Sequence, residues 1–323
     1  MRRRVLPVVA AMGAGLAVVL TAGCSSGGAQ GAPAVEKPDL TVAAVPVGDE
    51  AGLYVAQDLG LFRAEGLHVT IDSIISAAVA TKGQNDGQYD ITAGNSVSYV
   101  QDQVSHQSNL EIIAVGSLMQ PGNQALYTLP DSPITTVADL KGKRIGVNVP
   151  NNIGTLLISE LLKDHGMSPS EVHFVPMNFP LMGPALQKHE IDVAWLPEPF
   201  GSIFGAAMGL RMLADLDQGA AANFPVGWYV VTRAWAEKYP RTLAAFVTAL
   251  RQGQEIADTN RSEVQRVMEK LPQPYTVPAP IAAVMTLESY PLTISLPTVQ
   301  RVADEMYQFQ MLSRPFRVSS MLG

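Results

Sequence analysis

Short apolar runs alternate with longer amphipathic stretches along the chain from Leu40 onward. The run LTVAAVPV at 40–47 predicts a buried strand, and AGLYVAQDLGLFRAEG at 51–66 predicts a helix after a GDE turn. LHVTIDSI at 67–74 predicts the next strand. Because strand, turn and helix repeat in this order, the pattern indicates an α/β fold with parallel strands.

The same unit recurs from Arg144, where RIGVNVP predicts a strand, IGTLLISELLKDHG a helix and VHFVPM the next strand. A second similarity joins GQYDITAG to KHEIDVAWL, with Asp90 and Asp192 in matching positions. Two half-folds in succession predict two similar lobes. The carboxyl ends of their strands would then face a shared crevice, where open α/β sheets bind ligands.

Beyond VGWYVVTRAW the pattern changes to amphipathic helices. RTLAAFVTALRQGQEIAD and LPTVQRVADEMYQFQML carry apolar residues at helical spacing, which is typical of helices packed on a core. We expect them to pack on the first lobe, so that the chain crosses between lobes near 128–133 and near 227–232. The predicted division is 39–130 with 228–323 in lobe 1, and 131–227 in lobe 2.

The first residues predict export. MRRR, the apolar run VLPVVAAMGAGLAVVL and the small residues of TAG are the parts of a signal peptide at 1–23. LTAGC resembles the lipobox of bacterial lipoproteins, except for Thr21 where leucine is usual, and the resemblance implies cleavage before Cys24 and a lipid on its sulfur. Residues 24–38 are small and polar and predict a flexible tether. An ordinary secretory signal and an uncleaved anchor are the alternatives, and all three place the fold outside the cytoplasm.

Composition narrows the class of protein. The 323 residues are 47% hydrophobic, enough for one large or two medium cores, and the net charge of −7 argues against nucleic acid as a partner. Cys24 is the single cysteine, so the exported domain forms no internal disulfide. The five histidines lack metal-ligand spacing, and no G-x-S-x-G or P-loop motif occurs. We therefore expect no catalytic residue, no metal and no cofactor.

Five segments in order resemble one family: GLYVAQDLGLFRAEGLHV, GQYDITAGNSVSY, ITTVADLKGKRIGV, ALQKHEIDVAWLPEPF and GWYVVTRAWAEKYP. They are similar to the periplasmic-type substrate-binding proteins of ABC importers, in the NMT1/THI5-like and SsuA-like branch that binds alkanesulfonates, taurine, nitrate and thiamine pyrimidines. The resemblance implies a type II fold of two lobes joined by two crossing segments, which closes on one small molecule. It also implies an ABC permease and its ATPase as partners.

The loops at the strand ends are the candidate ligand-binding site. Each precedes a predicted helix, whose N-terminus offers free N–H donors and a partial positive charge. The candidate residues in these loops are Gly48, Asp49, Glu50, Asn95, Ser96, Asn151, Asn152 and Thr155. Helix capping is the alternative role, because the same residue types cap helices routinely.

The segment AWLPEPF places Glu198 between two prolines at the end of a predicted strand. Both prolines restrict the backbone, so the carboxylate would emerge preorganised toward the crevice. Trp195, Phe200 and Trp228 are candidate aromatic walls of the pocket, with a core role as the alternative. For Glu198 the alternative is an acid that braces the turn or caps a neighbouring helix.

The sequence thus predicts a lipid-anchored solute-binding protein on the extracytoplasmic face of a cell membrane, which delivers a small organic nitrogen or sulfur compound to an ABC permease. Few lysines or arginines and several acids stand in the crevice loops, which favours a ligand with hydrogen-bond donors, such as an aminopyrimidine or amine. An enzyme on the same scaffold, of the pyrimidine-synthesis or menaquinone type, is one alternative. A lipoprotein that senses a ligand for a receptor is the other.

Overall fold

A computed structural model describes residues 34–323 of the chain. The predicted signal peptide, the lipidation site at Cys24 and residues 24–33 of the predicted tether lie outside the described residues. The last part of that segment is described and makes specific contacts. The Glu36 carboxylate accepts a hydrogen bond from the Thr242 backbone N–H at 2.8 Å, and the Lys37 ammonium pairs with Asp90. The tether prediction therefore does not hold at residues 36–37.

Within residues 34–323, ten strands form two five-stranded sheets. The first sheet contains β1 (Asp39–Ala44), β2 (His68–Ser73), β3 (Ile91–Asn95), β4 (Leu110–Val115) and β10 (Gly227–Thr232), in the order β2-β1-β3-β10-β4. The second contains β5 (Gln124–Thr128), β6 (Arg144–Val147), β7 (His173–Pro176), β8 (Val193–Pro197) and β9 (Arg211–Asp215), in the order β7-β6-β8-β5-β9. The two orders are equivalent, which confirms the two-lobe α/β fold.

Parallel pairing is confined to three strands in each sheet. Strand β1 pairs in parallel with β2 and β3, and β6 pairs in parallel with β7 and β8. In the first sheet β10 runs antiparallel to both of its neighbours, β3 and β4, and in the second sheet β5 runs antiparallel to both of its neighbours, β8 and β9. The carboxyl ends of β1, β3, β6 and β8 all lie at the cavity between the sheets, as expected for ligand sites in α/β folds.

The helices of the described residues follow the predicted alternation. They are α1 (Ala51–Asp58), α2 (Leu61–Ala64), α3 (Ala77–Asn85), α4 (Ser96–Val104), α5 (Ile153–Asp164), α6 (Phe179–Gln187), α7 (Phe200–Met208), α8 (Arg233–Lys238), α9 (Pro240–Thr259), α10 (Arg261–Met268), α11 (Ala279–Ala282) and α12 (Leu296–Gln308). The single helix predicted at 51–66 is wrong in one respect. Gly60 adopts a left-handed conformation with φ of 72°, which separates α1 from α2.

Asp90 and Asp192, matched in the sequence, make the same contacts in the two sheets. The Asp90 carboxylate accepts a hydrogen bond from the Thr41 backbone N–H at 3.0 Å, and the Asp192 carboxylate accepts one from the Arg144 backbone N–H at 2.8 Å. Each aspartate therefore fixes the start of the strand beside its own. The repeat predicted from the sequence is confirmed at these contacts.

Helices α9 and α10 pack on the first lobe, as predicted. The ring of Phe246 on α9 stacks on that of Phe62 on α2, with centroids 5.0 Å apart. A Cβ on Gly253 of α9 would lie 2.3 Å from the Gly52 carbonyl oxygen on α1, so the two backbones touch. Helices α11 and α12 differ, because they also reach the second lobe: α11 contacts α7, and Arg301 of α12 donates to the Ala222 carbonyl at 2.8 Å.

The chain crosses between the sheets earlier than expected at both places. The first crossing lies between β4 and β5, before Gln124, because β5 pairs with β8 and β9 in the second sheet. The predicted boundary at residue 130 places β5 in lobe 1, whereas β5 pairs within the second sheet. The second crossing lies between β9 and β10, before Gly227. Leu118 in the first crossing forms isolated bridges with Pro225 in the second and with Ser289, so a C-terminal segment joins the hinge.

Within the part of the chain that the structure describes, no helix has the length and apolar composition of a membrane span.

Candidate functional site

A small cavity lies between the two sheets at the ends of their strands. It receives Asp49, Glu50 and Asn95 from the first lobe, and Asn148 and Trp195 from the second. The space available to the centres of water molecules is about 30 Å³, which is room for about two waters. The cavity is therefore the predicted crevice in a nearly closed form.

Two carboxyl groups stand on the first-lobe wall. Asp49 and Glu50 belong to a 3-10 turn that leads into α1, and both are buried. The Ser117 hydroxyl donates to the Asp49 carboxylate at 2.8 Å, whereas Glu50 Oε2 has no hydrogen-bond partner among the described residues. Gly48, also predicted as a site residue, does not line the cavity. Its Cα faces a third acid, Glu288, whose Oε2 would lie 2.7 Å from a Cβ at position 48.

Burial governs the protonation of these acids. It raises the pKa of Asp49 to about 6, and burial together with the charge of Asp49 raises the pKa of Glu288 to about 8. Burial also raises the pKa of Glu50 well above its usual range, with added repulsion from Asp49 and Glu288. Three acids so close together and so far from solvent do not all ionise at neutral pH.

Three of the predicted polar residues at the other helix N-termini, Asn95, Asn152 and Thr155, make capping hydrogen bonds. Asn95 lines the cavity, and its side chain accepts from the Ser98 N–H at 3.0 Å. Asn152 and Thr155 form a reciprocal capping box at the start of α5. Neither lines the cavity, nor do Ser96 and Asn151. The capping alternative describes Asn152 and Thr155 in this structure, and a ligand contact by any of these residues stays a prediction.

Glu198 does not reach the cavity. Its carboxylate accepts hydrogen bonds from the Ser202 hydroxyl at 2.7 Å and from the Ser202 N–H at 3.2 Å, in the first turn of α7. Burial raises the pKa of this carboxyl above its usual range, and hydrogen bonds from Ser202 and from the Thr286 backbone counteract part of that rise. The alternative, in which this acid braces the turn and caps a helix, matches these contacts. A role in ligand binding stays a prediction.

The predicted aromatic residues divide into one cavity wall and two supporting residues. Trp195 lines the cavity, and its ring meets the Phe179 ring edge-on at 5.4 Å between centroids. Phe200 stacks on Phe179 with ring centroids 5.5 Å apart and does not line the cavity. Trp228 is fully buried in β10 and also lies outside it.

Sequence reasoning missed several residues of the cavity wall. Ser76, Gln124, Asn148 and Phe179 all line it. Three of them follow β2, β6 and β7, so the strand-end argument could have found them. Gln124 opens β5, which runs antiparallel and brings its first residue to the cavity instead of its last.

The described residues show no cluster suited to metal binding. No group of three or more His, Cys, Asp or Glu side chains in this part of the chain could hold a metal ion. The site offers acceptors and aromatic surface. These features suit reversible binding of a small molecule.

Two lobes with equivalent sheets, joined by two crossing segments around a crevice, define the periplasmic-binding-protein fold. The chain belongs to the family described as NMT1/THI5 like, whose sequence profile matches residues 48–263. It is 29% identical over 226 residues to a Haemophilus influenzae protein assigned to thiamine biosynthesis, and the match covers 67% of each chain.

Solved structures confirm the fold. The alkanesulfonate-binding protein SsuA from Xanthomonas axonopodis pv. citri, bound to MOPS, superimposes with a TM-score of 0.75 at 18% identity, over 90% of this chain and 99% of that one. The desulfurization enzyme DSZB superimposes with a TM-score of 0.67 at 15% identity, over 89% and 96%. The scaffold therefore carries both binding proteins and an enzyme.

Proposed function

We propose that this protein is the extracytoplasmic solute receptor of an ABC importer, which captures a small organic nitrogen or sulfur compound and delivers it to a membrane permease. The observation that carries the proposal is the cavity at the strand ends, whose walls come from both lobes. Family membership and the SsuA fold agree with it.

Lobe closure would be the working step. A ligand that contacts both lobes stabilises the closed arrangement by the free energy of the contacts it gains there. The cavity here has room for about two water molecules. A ligand must therefore enter while the lobes are apart, by rotation about the crossing segments before Gln124 and Gly227.

The first experiment is a ligand screen by thermal shift on the exported domain, followed by calorimetry. The panel would contain sulfonates, taurine, nitrate, pyrimidines and related heterocycles. A one-to-one complex of micromolar or tighter affinity is the expected result, together with a smaller radius of gyration in X-ray scattering. A protein that binds none of these compounds would overturn the proposal.

A variant locates the binding site. Trp195→Ala removes the aromatic wall and should weaken binding of the ligand identified in the screen. Trp235→Ala, which removes an indole from α8 outside the cavity, is the matched control and should leave affinity unchanged. Equal losses in both variants would place the ligand elsewhere.

Membrane attachment through Cys24 is part of the proposal and rests on the LTAGC segment. Mass spectrometry of the protein from membranes should find a diacylglyceryl group on Cys24 as the first residue. Cys24→Ser should abolish that modification. Recovery of an unmodified, soluble wild-type protein would support the ordinary secretory signal instead.

The enzyme alternative has a direct test. DSZB shows that the scaffold can support catalysis, although the described residues here contain no cysteine. Incubation of the purified protein with the screened ligand, followed by mass spectrometry, should recover the ligand unchanged. A new product that depends on protein concentration would favour the enzyme.

A further inference from the structure

Three buried carboxyl groups gather at the hinge side of the cavity. Asp49 and Glu50 form part of its wall, and Glu288 lies directly behind Gly48. Their exposed fractions are 7%, 2% and 5%, so water stabilises their negative charges very little. The C-terminal segment brings Glu288 to this place, because Tyr290 donates a hydrogen bond to the Gly48 carbonyl at 3.0 Å.

The hydrogen bonds to these acids come from neutral groups. Ser117 donates to Asp49, and Glu288 accepts from the Asn123 amide at 2.6 Å and from the Tyr290 hydroxyl at 3.1 Å. Burial and the charge of Glu50 also raise the pKa values of three phenols, those of Tyr54, Tyr99 and Tyr229. No lysine, arginine or histidine is among the described residues that line the cavity.

Two further buried groups in the wall lack hydrogen-bond partners. Gln124 Oε1, on a residue 1% exposed, is an acceptor, and Trp195 Nε1, on a residue 2% exposed, is a donor. They lie on the second lobe and are independent of the acidic cluster. A buried polar atom without a partner costs free energy, so such atoms in a cavity wall indicate where a ligand would pair.

An anionic ligand fits this wall poorly. A helix N-terminus ordinarily favours an anion, but here Asp49 and Glu50 occupy the turn that leads into α1. A second negative charge beside them would meet repulsion in a low-dielectric space. A cation would instead offset the negative charge of the buried acids, which have no positively charged partner in the cavity wall.

We infer that the ligand carries a positively charged or readily protonated nitrogen with several N–H donors, an amine, amidine or aminated heterocycle, which binds Glu50 and Asp49 while Gln124 accepts a further hydrogen bond. The inference rests on the proposed function and names the ligand class of the same cavity. Glu288 acts through Asp49 and is a positioning residue. On binding, the cluster gives up a proton to solvent, and the ligand cation replaces it.

The test compares probes of similar shape that differ in charge. Benzamidinium, benzamide and benzenesulfonate share one ring, and ethylammonium and ethanesulfonate form a smaller pair. Each is titrated by calorimetry at neutral pH into the exported domain, in two buffers with different ionisation enthalpies. We expect the cations to bind more tightly than the matched sulfonates, with net release of protons in both buffers.

A variant and a matched control connect the charge preference to the cluster. Glu50→Gln should weaken cation binding by about 10- to 100-fold and reduce proton release. Asp102→Asn should leave both unchanged, because Asp102 is a buried acid with a pKa raised by burial that does not line the cavity. Proton release by the wild-type protein decides the question if Glu50→Gln does not fold.

Other outcomes separate this inference from the proposed function. If the sulfonates bind and the cations do not, or Glu50→Gln leaves affinity unchanged, the receptor function stands and the inference is wrong. If neither probe pair binds, the charge of the ligand found in the broader screen and its response to Glu50→Gln decide in the same way. If that screen finds no ligand, the proposed function fails and the inference fails with it.

Discussion

At the scale of single residues, Gly154 of α5 sets the position of Trp195, the aromatic wall of the cavity. A Cβ on Gly154 would lie 2.3 Å from Trp195 Cε3, which no relaxed structure tolerates. We expect Gly154→Ala to destabilise the protein by about 1–3 kcal/mol through overpacking and to displace the indole. Chemical denaturation monitored by tryptophan fluorescence measures both effects.

Gly205 on α7 is the matched control for this substitution. No atom lies within 4 Å of the position that a Cβ would take there. Alanine at this helical position should be neutral or should stabilise the protein by up to about 1 kcal/mol. Equal stability of the two alanine variants would contradict the close contact between α5 and Trp195.

The buried acids also make the stability of the empty protein depend on pH. Unfolded carboxyl groups titrate near pH ~4, whereas burial raises the pKa of Asp49 to about 6 and of Glu288 to about 8. Between these values the folded protein binds more protons than the unfolded chain, so the free energy of unfolding falls as pH rises. We expect a lower thermal midpoint at about pH 8 than at about pH 5, and a smaller difference in Glu288→Gln.

Asp139 serves as the control for the pH profile. Backbone hydrogen bonds from Thr135 and Thr136 hold the pKa of its exposed carboxyl below the usual range, so it titrates below this window. Asp139→Asn should therefore leave the slope between about pH 5 and 8 as it is in the wild type. A midpoint that rises across this range, or an unchanged slope in Glu288→Gln, would refute the assignment.

At the scale of elements, the repeated aspartate connects neighbouring strands in both sheets. Asp90 accepts hydrogen bonds from the Thr41 N–H at 3.0 Å and from the Trp235 indole at 2.9 Å, and thereby joins β1 to α8. Asp90→Ala leaves these donors unpaired, and we expect a loss of about 1–3 kcal/mol in the free energy of unfolding. Urea denaturation provides the measurement.

An exposed aspartate near the same strand gives the comparison. Asp86 pairs only with Lys82 across one helical turn at 2.6 Å, among the contacts of the described residues. Asp86→Ala should cost less than about 1 kcal/mol, because surface ion pairs contribute little. A larger loss for Asp86→Ala than for Asp90→Ala would show that the strand-start contact is not a major stabilising interaction.

The predictable part of the fold is its local part. Strand, turn and helix signals lie within short segments, and the Asp90 and Asp192 match exposed the repeat, so the two-lobe architecture followed from the sequence. The direction in which each side chain points did not follow from the sequence. Residues of β8 and β10 are buried on both faces, so no alternation marks which side of Trp195 or Trp228 meets the cavity.

At the scale of the whole molecule, the unpredicted part of the site comes from distant chain segments. Glu288 comes to lie behind Gly48 because Tyr290 contacts Gly48, 242 residues away in sequence, and no local sequence pattern predicts such a contact. Glu198 illustrates the opposite case. Its position directly after β8 agrees with the sequence prediction, but its carboxylate accepts a hydrogen bond from the hydroxyl of Ser202, four residues later, in the first turn of α7. The local sequence thus predicts where a residue leaves its strand, but not which group its side chain contacts.

Closure of the lobes depends on contacts outside the cavity as well. The Gln101 side chain of α4 donates to the Asn151 carbonyl at 2.7 Å, which joins the first lobe to the loop before α5. Separation of the lobes would break this contact. Gln101→Ala should therefore favour the open arrangement and weaken ligand binding by about 2- to 10-fold, although it touches no ligand.

Gln107 on the exposed end of the α4 region is the control, since no hydrogen bond of its side chain joins it to the second lobe among the described residues. Gln107→Ala should bind ligand like the wild type. X-ray scattering of the empty proteins should give a larger radius of gyration for Gln101→Ala only, while urea denaturation gives equal stability for both variants. Weaker binding by Gln101→Ala without that expansion would show that the contact acts on the site directly and not through closure.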